Sequence, residues 1–168
     1  PLIGETPGGM LGGAVCYDLR FPELFRRMAS QGMDILAIPA AFTYRTGLAH
    51  WEPLLRARAI ENLCYVVAAA QTGTHPAGRQ TYGHSMVVDP WGAILAQSIG
   101  RPAICSATID PAHLKRLRQQ SPVLDLSADY WRAKVAERAD RVLVTSQWMV
   151  ERAAELGVVA DLWEPGVD

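Results

Sequence analysis

Two short segments that are apolar on both faces constrain the fold of this chain more than any other feature. Residues 34–39 (Asp-Ile-Leu-Ala-Ile-Pro) and residues 65–70 (Tyr-Val-Val-Ala-Ala-Ala) have the composition of strands buried on both sides, which is typical of parallel sheets covered by helices. Between them, apolar residues recur at helical spacing over residues 51–63. The stretches at 41–47 and 72–82 are predicted to be loops. The pattern predicts a layered α/β domain.

A strand and a helix are predicted ahead of this pair. Residues 8–12 are rich in glycine, and residues 13–17 (Gly-Ala-Val-Cys-Tyr) predict a short strand. Apolar residues then recur at helical spacing over residues 21–29, with Pro22 in the first turn and Gly32 beyond the last. These segments predict a strand–helix–strand unit with parallel strands.

Shorter strand patterns follow the doubly apolar pair. Residues 85–89 and 93–97 predict two antiparallel strands joined by the turn Pro-Trp-Gly at 90–92. Residues 103–109 predict one more strand, and residues 111–119 a short helix that begins with proline. Together with the parallel pair, these elements predict a mixed sheet.

The sequence changes character after Ser121 and Pro122. The remaining residues predict a β-α-β extension preceded by a charged helix. Its elements are expected as a helix at 128–139, a strand at 141–145, a helix at 147–156 and a strand at 158–163. We therefore predict two domains, residues 1–125 and residues 126–168.

Composition and charge exclude several classes of partner. Apolar residues make up 49% of the chain and charged residues 20%, as in an ordinary globular domain. The net charge is −1 and like charges do not cluster, so we expect neither a nucleic-acid partner nor a basic membrane-binding patch. No apolar run approaches the about 20 residues of a membrane span, so no membrane partner is expected.

The three cysteines, Cys16, Cys64 and Cys105, are widely separated in the sequence. Zinc ligands usually come in close pairs, and an odd number of cysteines does not fit a disulfide framework. We therefore expect a cytoplasmic protein without a metal or a cofactor. Cys64 and Cys105 are interpreted as core or sheet residues. Because the first residue is Pro1 and no leader pattern follows it, we expect no signal peptide and a chain that is a piece of a longer protein.

Cys16 is the strongest candidate for a reactive side chain. It lies at the end of the predicted strand 13–17, and ligands of α/β sheets bind at the carboxyl ends of strands. Arg20, Arg26 and Arg27 follow it, and a nearby cation favours the thiolate over the thiol. The alternative interpretation is a buried structural cysteine, because free cysteine is among the most buried residue types.

A serine triad is a weaker hypothesis. His84, Ser85 and Asp89 are close in the sequence. However, neighbouring residues of a strand point to opposite faces, so the His84 and Ser85 side chains are not expected to meet. The chain also lacks a G-x-S-x-G motif.

The acidic residues of the helix predicted at 51–63 have basic partners at helical spacing. Glu52 is followed by Arg56 four residues later, and Glu61 is preceded by Arg58 three residues earlier. Such pairs are usually ion pairs on a helix surface, so we expect them to be structural.

Three segments together resemble a known family. Residues 13–24 (GAVCYDLRFPEL), residues 46–62 (TGLAHWEPLLRARAIEN) and residues 82–92 (YGHSMVVDPWG) resemble the nitrilase superfamily of carbon–nitrogen hydrolases. The last two segments are most similar to its Nit branch, which contains deaminated-glutathione amidases and ω-amidases. The resemblance implies half of an α-β-β-α sandwich, namely a mixed sheet flanked by helices.

The resemblance also implies a reaction and a nucleophile. In that family, a cysteine thiolate attacks an amide carbonyl, ammonia leaves, and water hydrolyses the resulting thioester. By resemblance, Cys16 is the nucleophile, and the backbone N–H of Tyr17 helps to bind the oxyanion. The implied partner is a small amide that bears a carboxylate, and a homo-oligomer is expected.

Four further residues are assigned to the substrate by the same resemblance. Arg20 would meet the substrate carboxylate, because a guanidinium group can bind a carboxylate through two hydrogen bonds. Phe42, Thr43 and Thr46 would shape the pocket around it.

The chain departs from the family pattern upstream of Cys16. In the family, the general-base glutamate, a supporting glutamate and the oxyanion lysine all precede the cysteine. Here Glu5 is the only acidic residue before Cys16, and the only lysines are Lys115 and Lys134. The chain therefore resembles the C-terminal half of such an enzyme, and we expect it to be impaired on its own.

The tail has a resemblance of its own. From about Ala136, it resembles part of a glycosyltransferase with two Rossmann domains. Two alternatives to the amidase hypothesis therefore stay open at this stage. One is a non-catalytic nitrilase-like scaffold or oligomerisation module, and the other is a fragment derived from a glycosyltransferase.

Overall fold

A computed structural model of the chain describes residues 2–121 and, in the tail, two short strands. The chain divides into two compact units, Pro1–Leu124 and Asp125–Asp168. Each unit is described by itself below. Within the described residues, no helix has both the length and the apolar composition needed to cross a membrane.

The first unit contains eight described strands and three described helices. The strands are β1 (Leu2–Thr6), β2 (Gly9–Gly13), β3 (Ile35–Ala40), β4 (Tyr65–Ala70), β5 (Thr72–Thr74), β6 (Gln80–Tyr82), β7 (Met86–Val88) and β8 (Ile94–Gln97). The helices are α1 (Pro22–Ala29), α2 (Tyr44–Asn62) and α3 (Pro111–Gln120), with 3₁₀ turns at Cys16–Arg20 and Pro76–Gly78.

Six of these strands form one sheet in the order β1-β2-β3-β4-β7-β8. The three central strands, β2, β3 and β4, run parallel to each other, whereas β1, β7 and β8 pair antiparallel with their neighbours. Strands β5 and β6 form a separate small hairpin. The mixed sheet and its flanking helices confirm the predicted α/β fold class.

The core lies between the sheet and the helices α1 and α2. Alternate residues of the central strands point into it, including Leu36 and Ile38 of β3 and Val66 of β4, all with no exposed surface. Trp51 and Leu55, one turn apart on α2, pack into the same cluster and are also fully buried. Burial of each such side chain stabilises the fold by roughly 1.5–3 kcal/mol.

The opposite face of the sheet is partly open to solvent. Val67 and Ala69 of β4 alternate with the buried residues and are exposed, as is Leu95 of β8. Tyr65 of the same strand is buried, and its hydroxyl lies within hydrogen-bond distance of the backbone N–H and carbonyl of Asp110, which precedes α3. The two faces of the described sheet therefore differ, because one is covered by α1 and α2 and the other is covered only in part.

The predicted strand at 13–17 is wrong in its position. The strand β2 ends at Gly13, and Cys16 to Arg20 form a 3₁₀ turn instead. The reason is local, because Asp18 closes this turn from both its backbone and its side chain. Its N–H donates to the carbonyl of Val15 at 3.0 Å, and its carboxylate accepts from the N–H of Val15 at 2.8 Å.

The predicted loop at 41–47 is also wrong in part. Helix α2 begins at Tyr44, seven residues before the predicted start, and includes Gly47. A side chain at position 47 would collide with Tyr82, so the glycine lets α2 approach strand β6 closely. The glycine that indicated a loop therefore serves helix packing. The second predicted loop, 72–82, contains the small hairpin of β5 and β6.

The strand predicted at 103–109 does not form. The structure has no strand or bridge between residues 98 and 110. A strand needs a partner edge for its backbone groups. Here, Ile104 is 97% exposed rather than packed against one. The helix predicted after it is confirmed as α3, and the Asp110 carboxylate caps it by accepting from the N–H groups of Ala112 and His113.

In the second unit, the structure describes β9 (Val142–Val144) and β10 (Ala160–Leu162), which pair in parallel. Both lie within the segments predicted as strands, 141–145 and 158–163. The helices predicted at 128–139 and 147–156 lie outside the described residues.

Candidate functional site

Cys16 lies just beyond the carboxyl end of strand β2. The N–H of Ala14 still donates to the carbonyl of Ala37 on β3 at 3.1 Å, so the chain follows the sheet up to this point. The 3₁₀ turn then begins with Cys16 and is closed around Asp18, and the N–H of Phe21 donates to the Asp18 carbonyl at 2.9 Å. The thiol is therefore carried by a hydrogen-bonded turn at the edge of the sheet where α/β proteins bind ligands.

The backbone of Cys16 has an unusual conformation. Its φ angle is +50°, in the left-handed region that residues other than glycine adopt only rarely. The side chain is half-buried and packs against the hydrophobic core. Such conformations persist only where surrounding structure holds them, and they cluster at functional sites. The backbone conformation therefore makes Cys16 a candidate for a functional position.

Arg20 brings two aromatic rings together beside this turn. Its guanidinium carbon lies 5.5 Å from the ring centre of Tyr17 and 5.4 Å from that of Phe42. The Nη2 atom of Arg20 is 3.2 Å from Nδ1 of His50. Because arginine can only donate, Nδ1 of His50 is the acceptor of this hydrogen bond. Three of the predicted site residues, Tyr17, Arg20 and Phe42, thus form one cluster.

Thr43 and Thr46 form a second group at the start of α2. Their hydroxyl oxygens are 2.8 Å apart, and the Thr46 hydroxyl is also 3.2 Å from the carbonyl of Thr43. Thr43 directly follows Phe42, so the chain connects this group to the aromatic cluster. The two hydroxyl groups form a hydrogen bond with each other at an exposed position.

Two of the arginines that the sequence placed near Cys16 lie elsewhere. Arg26 and Arg27 are in the last turn of α1, at the far end of that helix from the Cys16 turn. Of the three arginines, only Arg20 lies in the Cys16 turn; the contribution of the other two to the potential at the thiol stays a prediction. A helix separates them from the turn, whereas Arg20 belongs to it.

The other two cysteines have different surroundings. Cys64 is fully buried, as predicted, and its burial raises the pKa of the thiol to about 12. It is therefore protonated at neutral pH. Cys105 is half-buried in the segment between β8 and α3, not inside a strand as predicted.

The residues of the serine hypothesis do not form a triad. The Ser85 hydroxyl accepts from the N–H of Ala70 at 2.9 Å, so it satisfies the backbone at the end of β4. The His84 ring stacks on Tyr82 with their centres 3.9 Å apart, and its Nδ1 is 2.9 Å from the carbonyl of Tyr82. Each side chain is thus engaged with the scaffold. The strand argument itself does not apply, because β7 begins only at Met86 and His84 has a positive φ of 61°.

The two predicted ion pairs of α2 are confirmed, and one of them has an additional partner. Glu52 and Arg56 are 3.5 Å apart on the surface, whereas Arg58 and Glu61 are 2.8 Å apart with Arg58 buried. Arg58 also reaches the Cys16 turn, where it binds the carbonyl of Leu19. The sequence did not predict this contact, because the two residues are 39 positions apart.

Comparison with known proteins assigns this site to a family. Residues 1–119 match the family described as carbon-nitrogen hydrolase, which is well over half of the chain. The chain belongs to the carbon–nitrogen hydrolase family. The structural match described below extends this to the nitrilase-type arrangement of a mixed sheet flanked by helices. The match ends before the tail, so its resemblance to a glycosyltransferase stays a prediction.

Curated relatives of this carbon–nitrogen hydrolase chain include amidases. The nitrilase and fragile histidine triad fusion protein NitFhit of Caenorhabditis elegans is 60% identical over 119 residues, which are 71% of this chain and 27% of the relative. The deaminated glutathione amidase of Synechocystis sp. is 56% identical over 124 residues, which are 74% of this chain and 46% of the relative. The chain thus spans less than half the length of these relatives.

Solved structures of the family share its fold. The crystal structure of C. elegans NitFhit superposes with a TM-score of 0.72 at 57% identity, covering 75% of this chain and 31% of that one. An amidase from Nesterenkonia sp. AN1 superposes with a TM-score of 0.59 at 30% identity, covering 71% of this chain and 46% of that one. That structure is of a mutant of the amidase, and it shows the addition of acrylamide at the active site cysteine of that protein.

His50 is a member of the Arg20 cluster that sequence reasoning missed. Nothing in its local sequence indicates a partner 30 residues away. An earlier start of helix α2 would have been the useful signal, since it places His50 inside a helix that packs near the Cys16 turn.

The contrast between the cysteines can be tested by alkylation. We expect iodoacetamide near neutral pH to modify Cys64 at least about 100-fold more slowly in the folded chain than in the chain unfolded by urea, because burial keeps its thiol protonated and inaccessible. Cys16, which is half-buried, is expected to react in the folded chain. Peptide mass spectrometry measures the rate at each cysteine. Equal Cys64 rates in the two states would contradict the buried position described here.

Proposed function

We propose that Cys16 is the nucleophile of a reaction that hydrolyses the carbon–nitrogen bond of a small amide bearing a carboxylate. The observation that carries this proposal is a thiol held at positive φ beyond a central parallel strand, in a chain of the carbon–nitrogen hydrolase family. Relatives named deaminated glutathione amidase support amide hydrolysis.

The reaction proceeds through a thioester. The sulfur of Cys16 forms a bond to the amide carbonyl carbon, and the carbonyl electrons move to the oxygen. The carbon–nitrogen bond then breaks, and the nitrogen leaves as ammonia after it takes up the proton that the Cys16 thiol has lost. Water attacks the thioester, releases the carboxylic acid and returns the proton to the thiol. The Cys16 turn contributes by keeping the sulfur at one position for both steps.

The backbone N–H of Tyr17 is the proposed oxyanion donor of this chain. In the 3₁₀ turn, the first intrahelical hydrogen bond is made by the N–H of Asp18 to Val15. The N–H groups that precede it in a helical turn have no partner inside the turn. Tyr17 directly follows Cys16, so its N–H is close in the chain to the sulfur, which supports a role as donor to the oxyanion.

Arg20 is the proposed binding group for the substrate carboxylate. Its guanidinium group lies between the rings of Tyr17 and Phe42, four residues after the nucleophile. Held in this way, the planar group loses little further freedom when it binds a carboxylate. Phe42, Thr43 and Thr46 would border the same pocket, because they form the segment that leads from β3 into α2.

The general base is not among the acidic residues that precede Cys16 in this chain. Glu5 lies on β1 opposite Met10, so it is paired three residues before the end of β2 and away from the Cys16 turn. By resemblance, the base and a lysine for the oxyanion belong to an upstream part of the protein. Loss of one oxyanion donor alone costs about 10²–10³ in rate.

We therefore expect the 168-residue chain by itself to release ammonia from succinamate only slowly. The residual rate should disappear in Cys16→Ala, because no other thiol lies at the proposed site. A coupled assay for ammonia measures both proteins. Release at a rate typical of enzymes would contradict the proposed need for upstream groups.

The nucleophile itself can be tested without turnover. We expect 4-nitrophenyl acetate to acylate Cys16 at least about tenfold faster than Cys105, because the strained turn holds the Cys16 sulfur beside a backbone donor. Cys105 is a matched control, since it is also half-buried but lies outside this turn. Peptide mass spectrometry locates the acetyl group. Equal rates would instead favour the non-catalytic scaffold.

The role of Arg20 can be tested by protection of Cys16. Succinate, a dicarboxylate, is expected to slow acylation of Cys16, and Arg20→Lys should raise the succinate concentration needed about tenfold because it removes the two-pronged contact. Succinamide, which has no carboxylate, is the control ligand and should act equally on both proteins. Unchanged protection by succinate in the variant would remove Arg20 from the substrate site.

A further inference from the structure

Arg58 is a buried charge that is directed at the backbone of the Cys16 turn. It lies in the second half of α2 and is only 5% exposed. Its Nε and Nη2 atoms both donate to the carbonyl oxygen of Leu19, at 3.1 and 2.8 Å. Leu19 is itself fully buried and belongs to the 3₁₀ turn that begins with Cys16. One side chain thus holds one carbonyl of this turn with two hydrogen bonds.

This contact restrains the turn where its own hydrogen bonds are weakest. The last carbonyl groups of any helical turn have no partner within it. The guanidinium group is planar, so two of its donors on one oxygen restrict both the position and the direction of that carbonyl. Leu19 is three residues from Cys16, and the backbone between them has little freedom once Asp18 has closed the turn.

Arg58 is held in place from two further directions. Its Nη1 atom donates to the carboxylate of Glu61 at 2.8 Å, and its guanidinium carbon lies 5.2 Å from the ring centre of Phe25 on α1. The charge is therefore compensated and packed, as a buried charge must be. Because Glu61 and Phe25 belong to the two helices that pack on the core, Arg58 connects the Leu19 carbonyl to that packed layer.

We propose that Arg58 is a positioning residue for Cys16: it holds the 3₁₀ turn, and hence the strained backbone of the nucleophile, through the carbonyl of Leu19. The catalytic benefit of this positioning rests on the proposed function, whereas the restraint of the turn does not. Arg58 acts through the backbone and does not touch the substrate. A substitution that keeps the positive charge but removes the planar guanidinium group should loosen the turn while the core remains folded.

A second arginine provides a matched control. Arg118 of α3 also donates to backbone carbonyls, those of Leu63 at 3.1 Å and Met33 at 2.6 Å, and it pairs with Asp34 at 2.7 Å. These partners lie at the beginnings of β3 and β4, at the opposite end of the strands from Cys16. Arg118→Lys therefore makes the same chemical change as Arg58→Lys at a distant place.

Amide hydrogen exchange in the 168-residue chain tests the proposal. We expect Arg58→Lys to speed exchange at the amides of Asp18 and Phe21 by about tenfold, because both donate hydrogen bonds within the turn. The amides of β4 should stay within about twofold of the original chain. Arg118→Lys should leave Asp18 and Phe21 unchanged. Unchanged turn amides in Arg58→Lys, or equal acceleration by Arg118→Lys, would overturn the proposal.

The acylation rate of Cys16 by 4-nitrophenyl acetate adds a readout that general stability does not move. It should fall about tenfold in Arg58→Lys and remain unchanged in Arg118→Lys. A normal rate despite loosened turn amides would overturn the positioning role. If the original chain shows no preference for Cys16 over Cys105, the proposed function fails, and hydrogen exchange still decides whether Arg58 holds the turn.

Glu61→Gln serves if Arg58→Lys does not fold. It retains the guanidinium group and removes only the charged anchor of its Nη1 atom. The same amides, Asp18 and Phe21, are then expected to exchange about threefold faster, because the Leu19 contact persists with less support. Exchange rates equal to those of the original chain would overturn the proposal in this variant.

Discussion

The hydrogen bonds that close the 3₁₀ turn at Cys16–Arg20 are the interaction on which the site depends. Asp18 contributes its backbone and its carboxylate to Val15, so the chain leaves strand β2 in one defined direction. Without that closure, the segment would continue as the strand that its apolar sequence predicts. The Cys16 side chain would then point to one face of the sheet, as in any strand, and the residue would not lie at positive φ beyond the end of β2.

The sheet and the helices α1 and α2 make this turn possible. Parallel strands need helical connections, and these connections bring α1 and α2 onto one face, where Trp51, Leu55 and their neighbours bury the core. Helix α2 also contains Arg58, which donates to the carbonyl of Leu19, and His50, which contacts Arg20. One helix thus supplies both core packing and support for the candidate site.

Membership of the carbon–nitrogen hydrolase family gives this arrangement its chemical meaning. The chain spans less than half the length of the curated relatives described here. The turn that carries Cys16, the candidate nucleophile, and Arg20, the candidate for carboxylate binding, lie in the described part, whereas the proposed base and lysine are expected from elsewhere. Attack on the substrate and recognition of its carboxylate can therefore be tested in this chain separately from the contribution of the proposed base and lysine.

The sequence by itself determined the α/β class, the central strands β3 and β4, the helices α1 and α3 and the identity of Cys16 as the candidate nucleophile. These follow from periodicity and composition, or from motifs contiguous in the chain. Only the tertiary structure showed that residues 16–20 form a turn, that 103–109 is not a strand, and that His50 contacts Arg20 and Arg58 contacts the carbonyl of Leu19. The turn depends on hydrogen bonds of the Asp18 backbone and side chain, which the pattern of apolar residues does not predict. The other findings depend on contacts between residues distant in the sequence or on a missing partner edge, and local patterns carry no information about either.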